Sequence, residues 1–223
     1  MKILLASNSP RRKQLLALGG WTFEVLPADI DEQPLPDERP WDYVLRLAET
    51  KARAVADLVP QESIIIAADT TVVDSARDLA GQDEPVILGK PENRQEAWDM
   101  LRRLRGRTHQ VYTALAIYKP SDRTLVSDLC VTDVPMRNYT DHEIEAYIDS
   151  GDPFDKAGGY AIQHAGFHPV SQLTGCYANV VGMPLCHLTR GLRRLGIQPQ
   201  SDIPSVCQTT IKYDCPVFTE ILT

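Results

Sequence analysis

Apolar residues arrive in short runs divided by polar stretches, and their spacing changes from run to run. Residues 3–6 are continuously apolar, long enough for a buried strand. Ser9-Pro10 then reads as a helix start, because the serine hydroxyl can cap and proline is tolerated at the first helical position. Leu15, Leu16 and Leu18 give that helix an apolar face, and Gly19-Gly20 stop it. Residues 21–26 alternate as a strand, and 28–38 form an acidic loop with prolines. Trp41, Val44, Leu45, Ala48, Ala52, Val55 and Val59 recur three or four apart, which predicts a helix over 41–59 ended by Pro60. Residues 63–68 are an unbroken, β-branched run, the mark of a central strand that 70–73 can continue.

Further along, 74–84 read as a polar loop and 86–91 ("VILGKP") as a short strand and turn. Residues 92–105 read as a helix stopped by Gly106. Residues 111–118 and 125–134 look like an antiparallel pair joined by the turn-rich "KPSDRT". Thr140 and Glu143 make a capping box for a helix that ends at Ser150-Gly151. "DPFDKAGGYAIQ" (152–163) is expected as a Gly-rich loop running into a short strand, and 184–195 as a last helix closed by Gly196. From 197 onward three prolines and the lack of a period predict an irregular appendage. Parallel and hairpin strands mixed with helices imply an α/β or mixed α+β fold.

Composition narrows the partners. With 23 basic and 30 acidic residues the net charge is −7, which excludes non-specific attraction to nucleic acid or an anionic membrane. An anionic ligand therefore needs a local basic pocket. No apolar run approaches the roughly 18 residues of a membrane span, and no signal-peptide pattern is present. The five cysteines are odd in number and widely spaced, as expected for reduced thiols in the cytoplasm. Cys186-His187 and the His164/His168 pair do not make zinc spacing.

Candidate chemistry starts at residues 7–12. A strand-to-helix turn carrying Ser7 exposes backbone N–H groups and the positive end of a helix dipole. Arg11 and Arg12 add forked donors that match phosphate oxygens, although an exposed basic helix start explains them equally well. Asp69 is expected at the carboxyl end of a buried strand, where ligands of open α/β sheets bind; it can hold a metal, orient a water or order a loop. Lys90 follows a glycine but lacks the P-loop frame, and Lys51 lies mid-helix; solvated surface explains either. Gly158 and Gly159 allow close backbone approach to a ligand, and Gln163 offers both a donor and an acceptor to a base edge, or sits as an exposed amide at a bulge.

Taken together, "LASNSPRRKQLL", "RLAETKA", "AADTTVV", "GKP", "GRTHQVYTALAI", "TDVPMR", "DPFDKAGGYAIQ" and "VVGMPL" resemble, in order and spacing, the Maf family of nucleoside triphosphate pyrophosphatases, once called septum formation inhibitors. The resemblance implies one such domain over 1–196 and an extension over 197–223. It implies a twisted mixed sheet flanked by helices, in two lobes around a cleft, similar to the inosine triphosphate pyrophosphatases. The implied reaction cleaves the α–β phosphoanhydride to a nucleoside monophosphate and pyrophosphate, with magnesium or manganese. Asp69, in "ADT", takes the place of the family's proton acceptor. Ser7, Arg11, Lys51, Lys90 and Lys156 would meet the phosphates, and Asp69 with Glu32 the metal.

Arg12 in "SPRR", Thr70 in "ADT" and Gln163 in "AIQ" match the specificity marks of the dTTP/UTP branch. The 7-methyl-GTP branch carries "SPWR", "SDQ" and a glutamate instead. His164 departs from the family's usual glycine and is expected to narrow the pocket entrance. Family members are often homodimers. The remaining alternatives are a 7-methyl-GTP or broad house-cleaning pyrophosphatase, or a nucleotide-binding regulator of septum formation.

Overall fold

Strand order is set by one long strand that serves three partners. The computed structural model describes residues 2–74 and 85–223, so the polar loop expected at 74–84 lies outside the described residues apart from Asp74. Strands β1 (Ile3–Leu5), β2 (Phe23–Val25), β3 (Ile64–Asp74), β4 (Val86–Leu88), β5 (Thr108–Lys119) and β6 (Thr124–Pro135) form one sheet in the order β2-β1-β3-β5-β6, with β4 also on β3. β1 pairs parallel with β2 and with Ile64–Ile66 of β3. β5 runs antiparallel to β3 from Ile65 to Val73 and to β6 along its whole length. β4 pairs antiparallel with Val72–Asp74.

Because β5 occupies one edge of β3 throughout, β1 and β4 must share the other edge. Between their registers, Ala67 to Thr71 have no strand partner on that edge among the described residues. β3 runs on through 70–73 to Asp74, so Asp69, expected at the carboxyl end of a strand, lies in the middle of one, held there by its pairing with Ala114 of β5. What ends near Asp69 is β1, whose last paired partner is Ile66.

Helices α1 (Pro10–Ala17), α2 (Pro40–Ala54), α3 (Arg94–Leu104), α4 (Asp141–Asp149), α5 (Tyr177–Val181) and α6 (Leu185–Arg194) flank the sheet. Side chains alternate across β3. Ile65, Ala67 and Val73 join an apolar cluster with Val44, Ala48 and Ala52 of α2. On the opposite face, Ile64, Ile66 and Ala68 pack with Leu16, Met183 and Leu188, while Val72 packs with Leu101, Ile144 and Tyr160. The two lobes are these two clusters, set on one face of one sheet. The capping box at Thr140 is present as expected.

Two further expectations about the fold fail. Residues 197–223 are not irregular: α7 (Ile203–Ile211) and α8 (Phe218–Leu222) pack on the first lobe. Ile203, Cys207 and Ile211 lie four apart and supply one apolar face, with Pro204 in the first turn where it does no harm. Residues 160–163 make no strand. Gly158 and Gly159 both take positive φ, and the chain turns again where the His164 N–H bonds Ala161 O.

Candidate active site

A cleft of 550 Å³ opens at the unpaired stretch of β3. Ser7, Arg11, Arg12, Glu32, Lys51, Asp69, Thr70, Lys90, Lys156 and Gln163 all line it. Asp69 and Thr70 are neighbours in a strand, so they point to opposite faces of the sheet. Both reach the cleft because no strand covers their edge. The cleft thus wraps around β3.

On the α2 face, Lys51 and Asp69 are buried, at 7% and 6% exposure, which removes the solvated-helix reading of Lys51. Lys51 sits on α2 above Ala48 and Ala52, and its Nζ lies 2.6 Å from Asp69 Oδ1 and 2.6 Å from Glu32 Oε1. Burial pushes the Asp69 carboxyl above the usual aspartate range, against the opposing charges of Lys51 and Arg12. Burial also pushes Glu32 up, but the hydrogen bond and charge of Lys51 outweigh it and hold Glu32 below its ordinary value. The Tyr43 hydroxyl donates to Glu32 O at 2.8 Å and ties the acidic loop to α2.

On the other face, Ser9 caps α1 as expected, accepting from the Arg12 N–H. That fixes the root of the Arg12 side chain. Arg12 donates from Nε to Gly182 O at 3.0 Å, from Nη1 to Ser7 Oγ at 3.3 Å and from Nη2 to Thr70 Oγ1 at 3.1 Å. All three acceptors are uncharged. Burial lowers the Arg12 pKa, partly offset by Asp69.

Thr70 Oγ1 lies 3.0 Å from Thr113 Oγ1, and the Thr113 hydroxyl donates to Asn179 O at 2.9 Å. Asn179 in turn donates from Nδ2 to Val111 O and to Thr132 Oγ1, both at 2.9 Å. These polar groups form a belt between the two apolar lobes.

Lys156 lines the cleft with its donors already committed. Its ammonium bonds Asp152 O at 2.6 Å, Asp152 Oδ1 at 2.9 Å and Asp155 Oδ1. Arg11 also leans on Asp155, at 3.3 Å. Gln163 is exposed in a turn at the rim. His164 does not line the cleft; its Nδ1 accepts the Phe167 N–H and its ring packs edge-on against Tyr147, so the expected narrowing is absent. Among the described residues no group of three or more His, Cys, Asp or Glu side chains is placed to hold a metal.

Sequence reasoning missed Tyr43, Thr113, Asn179, Gly182 and Asp155. Thr113, Asp155 and Gly182 lie inside stretches that carry the family resemblance, whereas Tyr43 and Asn179 had no such signal; at Gly182, a φ of 107° and a hypothetical Cβ 3.0 Å from Thr70 Oγ1 explain the residue type.

Among solved structures, the chain is distantly similar to the Staphylococcus aureus Ham1 protein, which is 13% identical, covers 95% of this chain and 98% of its own, and has a TM-score of 0.47. By sequence it is similar to the dTTP/UTP pyrophosphatase of Geobacter sp. (strain M21), 44% identical over 87% of this chain and 95% of that protein. It is likewise similar to the dTTP/UTP pyrophosphatase of Thermoanaerobacter sp. (strain X514), 43% identical over 87% and 96%. The profile of the family described as "Maf-like protein" matches residues 2–195, and this chain belongs to that family.

Proposed function

We propose that this protein is a nucleotide pyrophosphatase that hydrolyses dTTP and UTP to the nucleoside monophosphate and pyrophosphate. One observation carries the reading: two chemically different sets of side chains meet in one cleft from opposite faces of β3. Lys51, Asp69 and Glu32 form a charged set suited to phosphates and water, and Arg12 and Thr70, with Gln163 at the rim, form a hydrogen-bonding set suited to a base.

In the reaction, water adds to a phosphorus of the α–β anhydride, the bridging oxygen leaves with its bonding electrons, and Asp69 takes the water's proton. A buried carboxyl held above its ordinary pKa is a better proton acceptor than an exposed one. Lys51 holds Asp69 in place and, with Lys90 and Arg11, offsets the charge of the leaving pyrophosphate. Arg11 and Lys156 first have to release Asp155.

The donor set fits a hard divalent cation, since Asp69 and Glu32 offer carboxylate oxygens and a triphosphate can supply the rest. Magnesium or manganese held by these two residues would supply charge neutralisation on the phosphates. The reading places the protein in the cytoplasm, on the number and scatter of its cysteines, and as a homodimer, on family resemblance. No helix of the described residues is long and apolar enough to cross a membrane.

The test is pyrophosphate release from dTTP, UTP, CTP, GTP and 7-methyl-GTP with magnesium or manganese. dTTP and UTP should be turned over best. A preference for 7-methyl-GTP would move the chain to the other branch. Nucleotide binding without any release would leave a regulator in place of an enzyme.

A further inference from the structure

The direction of the hydrogen bonds behind Thr70 limits what it can offer a ligand. A threonine hydroxyl has one proton and two lone pairs. The Thr113 proton goes to Asn179 O, which can only accept. In the 3.0 Å contact between the two hydroxyls, Thr70 must then be the donor. One lone pair of Thr70 Oγ1 already receives Arg12 Nη2. What remains on the cleft side is a single lone pair, beside the unused N–H groups of the Arg12 fork. Reversing the order would turn the Thr70 proton to the cleft and leave the Thr113–Asn179 contact without a proton. Gly182 keeps the pair uncrowded, since a side chain there would come within 3.0 Å of Thr70 Oγ1 and 3.8 Å of Arg12 Nη2.

We propose that Thr113 is a positioning residue for base selection: by taking the Thr70 proton it makes Thr70 an obligate acceptor, which favours bases with an imide N–H beside a carbonyl over bases with a bare ring nitrogen. This rests on the reading that Arg12 and Thr70 meet the base. Uracil and thymine present a ring N–H flanked by carbonyl oxygens. The N–H meets the free lone pair and a carbonyl meets the guanidinium. Cytosine presents a bare ring nitrogen at the same place, and two lone pairs then face each other. A site that leaves polar groups unpaired with the wrong base discriminates strongly. Thr113 touches no substrate; it acts through Thr70. Its place in β5, paired with Thr70, makes the relay a property of sheet register.

The experiment compares kcat/KM for UTP, dTTP and CTP in the wild type, Thr113→Val and Thr113→Ser, with melting curves as a check on folding. The wild type should favour UTP over CTP by tenfold or more. In Thr113→Val the Thr70 hydroxyl is free to rotate and donate, so the UTP-to-CTP ratio should fall at least tenfold, through KM more than kcat. Thr113→Ser should keep the wild-type ratio. If the valine variant does not fold, Thr113→Ala removes the same acceptor and should show the same fall. An unchanged ratio in a folded valine or alanine variant, or a serine variant that also loses it, overturns the proposal. A wild type that hydrolyses UTP and CTP equally overturns it while leaving the pyrophosphatase reading intact. A wild type inactive on both UTP and dTTP overturns both.

Discussion

Lys51 Nζ sits 2.6 Å from Asp69 Oδ1 with both residues buried, and it reaches Glu32 at the same distance. One ammonium therefore holds two carboxylates that would otherwise repel each other. Asp69→Asn keeps the shape and removes the proton acceptor. Turnover should fall by roughly 10²-fold or more, the usual scale for a general base, while nucleotide binding survives in part. Lys51→Met should lose activity as well, because it leaves Asp69 buried and unpaired. Single-turnover assays on the folded variants decide; wild-type turnover in Asp69→Asn would remove that residue from the chemistry.

Arg12 anchors three acceptors through three different nitrogens. Lysine has the charge but not the fork. Arg12→Ala should raise KM and lower turnover, and Arg12→Lys should recover only a part. Recovery to wild-type kinetics with lysine would reduce the role of Arg12 to bulk charge.

Asp155 is an acidic residue placed among the cations of the cleft, bonded to Lys156 and Arg11. An incoming triphosphate has to displace it. Asp155→Asn should therefore lower KM for dTTP and UTP by a few-fold, with a weaker effect at high salt where exposed charges are screened. A raised KM would mean that Asp155 orders Lys156 for the ligand and does not compete with it.

His109 is buried against the Tyr160 hydroxyl, 2.8 Å from Nε2, and its Nδ1 has no partner among the described residues. Burial lowers its pKa to about 4. Charging the ring would bury an unsatisfied N–H. The unfolded chain binds this proton first, so stability falls as pH drops from about 6.5 toward 4, by up to about 3 kcal/mol in total. Urea denaturation at both ends of that window should show a steeper loss for the wild type than for His109→Gln. Equal slopes would assign the acid sensitivity to other groups.

How much of this was legible depended on range. Ser9-Pro10, the 3.6-residue spacing of 41–59 and the capping box at Thr140 are local signals, and each element stands within a few residues of its expected place. The extent of β3, 63–68 with its continuation over 70–73, was legible, but the place of Asp69 in its middle was not, because the polar run of Asp69, Thr70 and Thr71 is held as strand through β5 on its far side. The tail was misread because prolines masked the four-residue spacing from Ile203 to Ile211. The cleft residues could be gathered from the sequence by family resemblance. Their division between two faces of a strand could not, since it follows from where β1 stops and β4 begins.

That missing edge has a consequence for motion. From Ala67 to Thr71 the β3 backbone pairs with β5 alone, while the stretches before and after have a partner strand on each side. A sheet interrupted in this way has a built-in weak seam, and local opening prefers such seams. Hydrogen–deuterium exchange should run faster at the amides of this stretch that face the gap than at those bonded to β5. A ligand filling the cleft would act as the absent strand and slow that exchange, so substrate would complete the sheet as well as occupy the site.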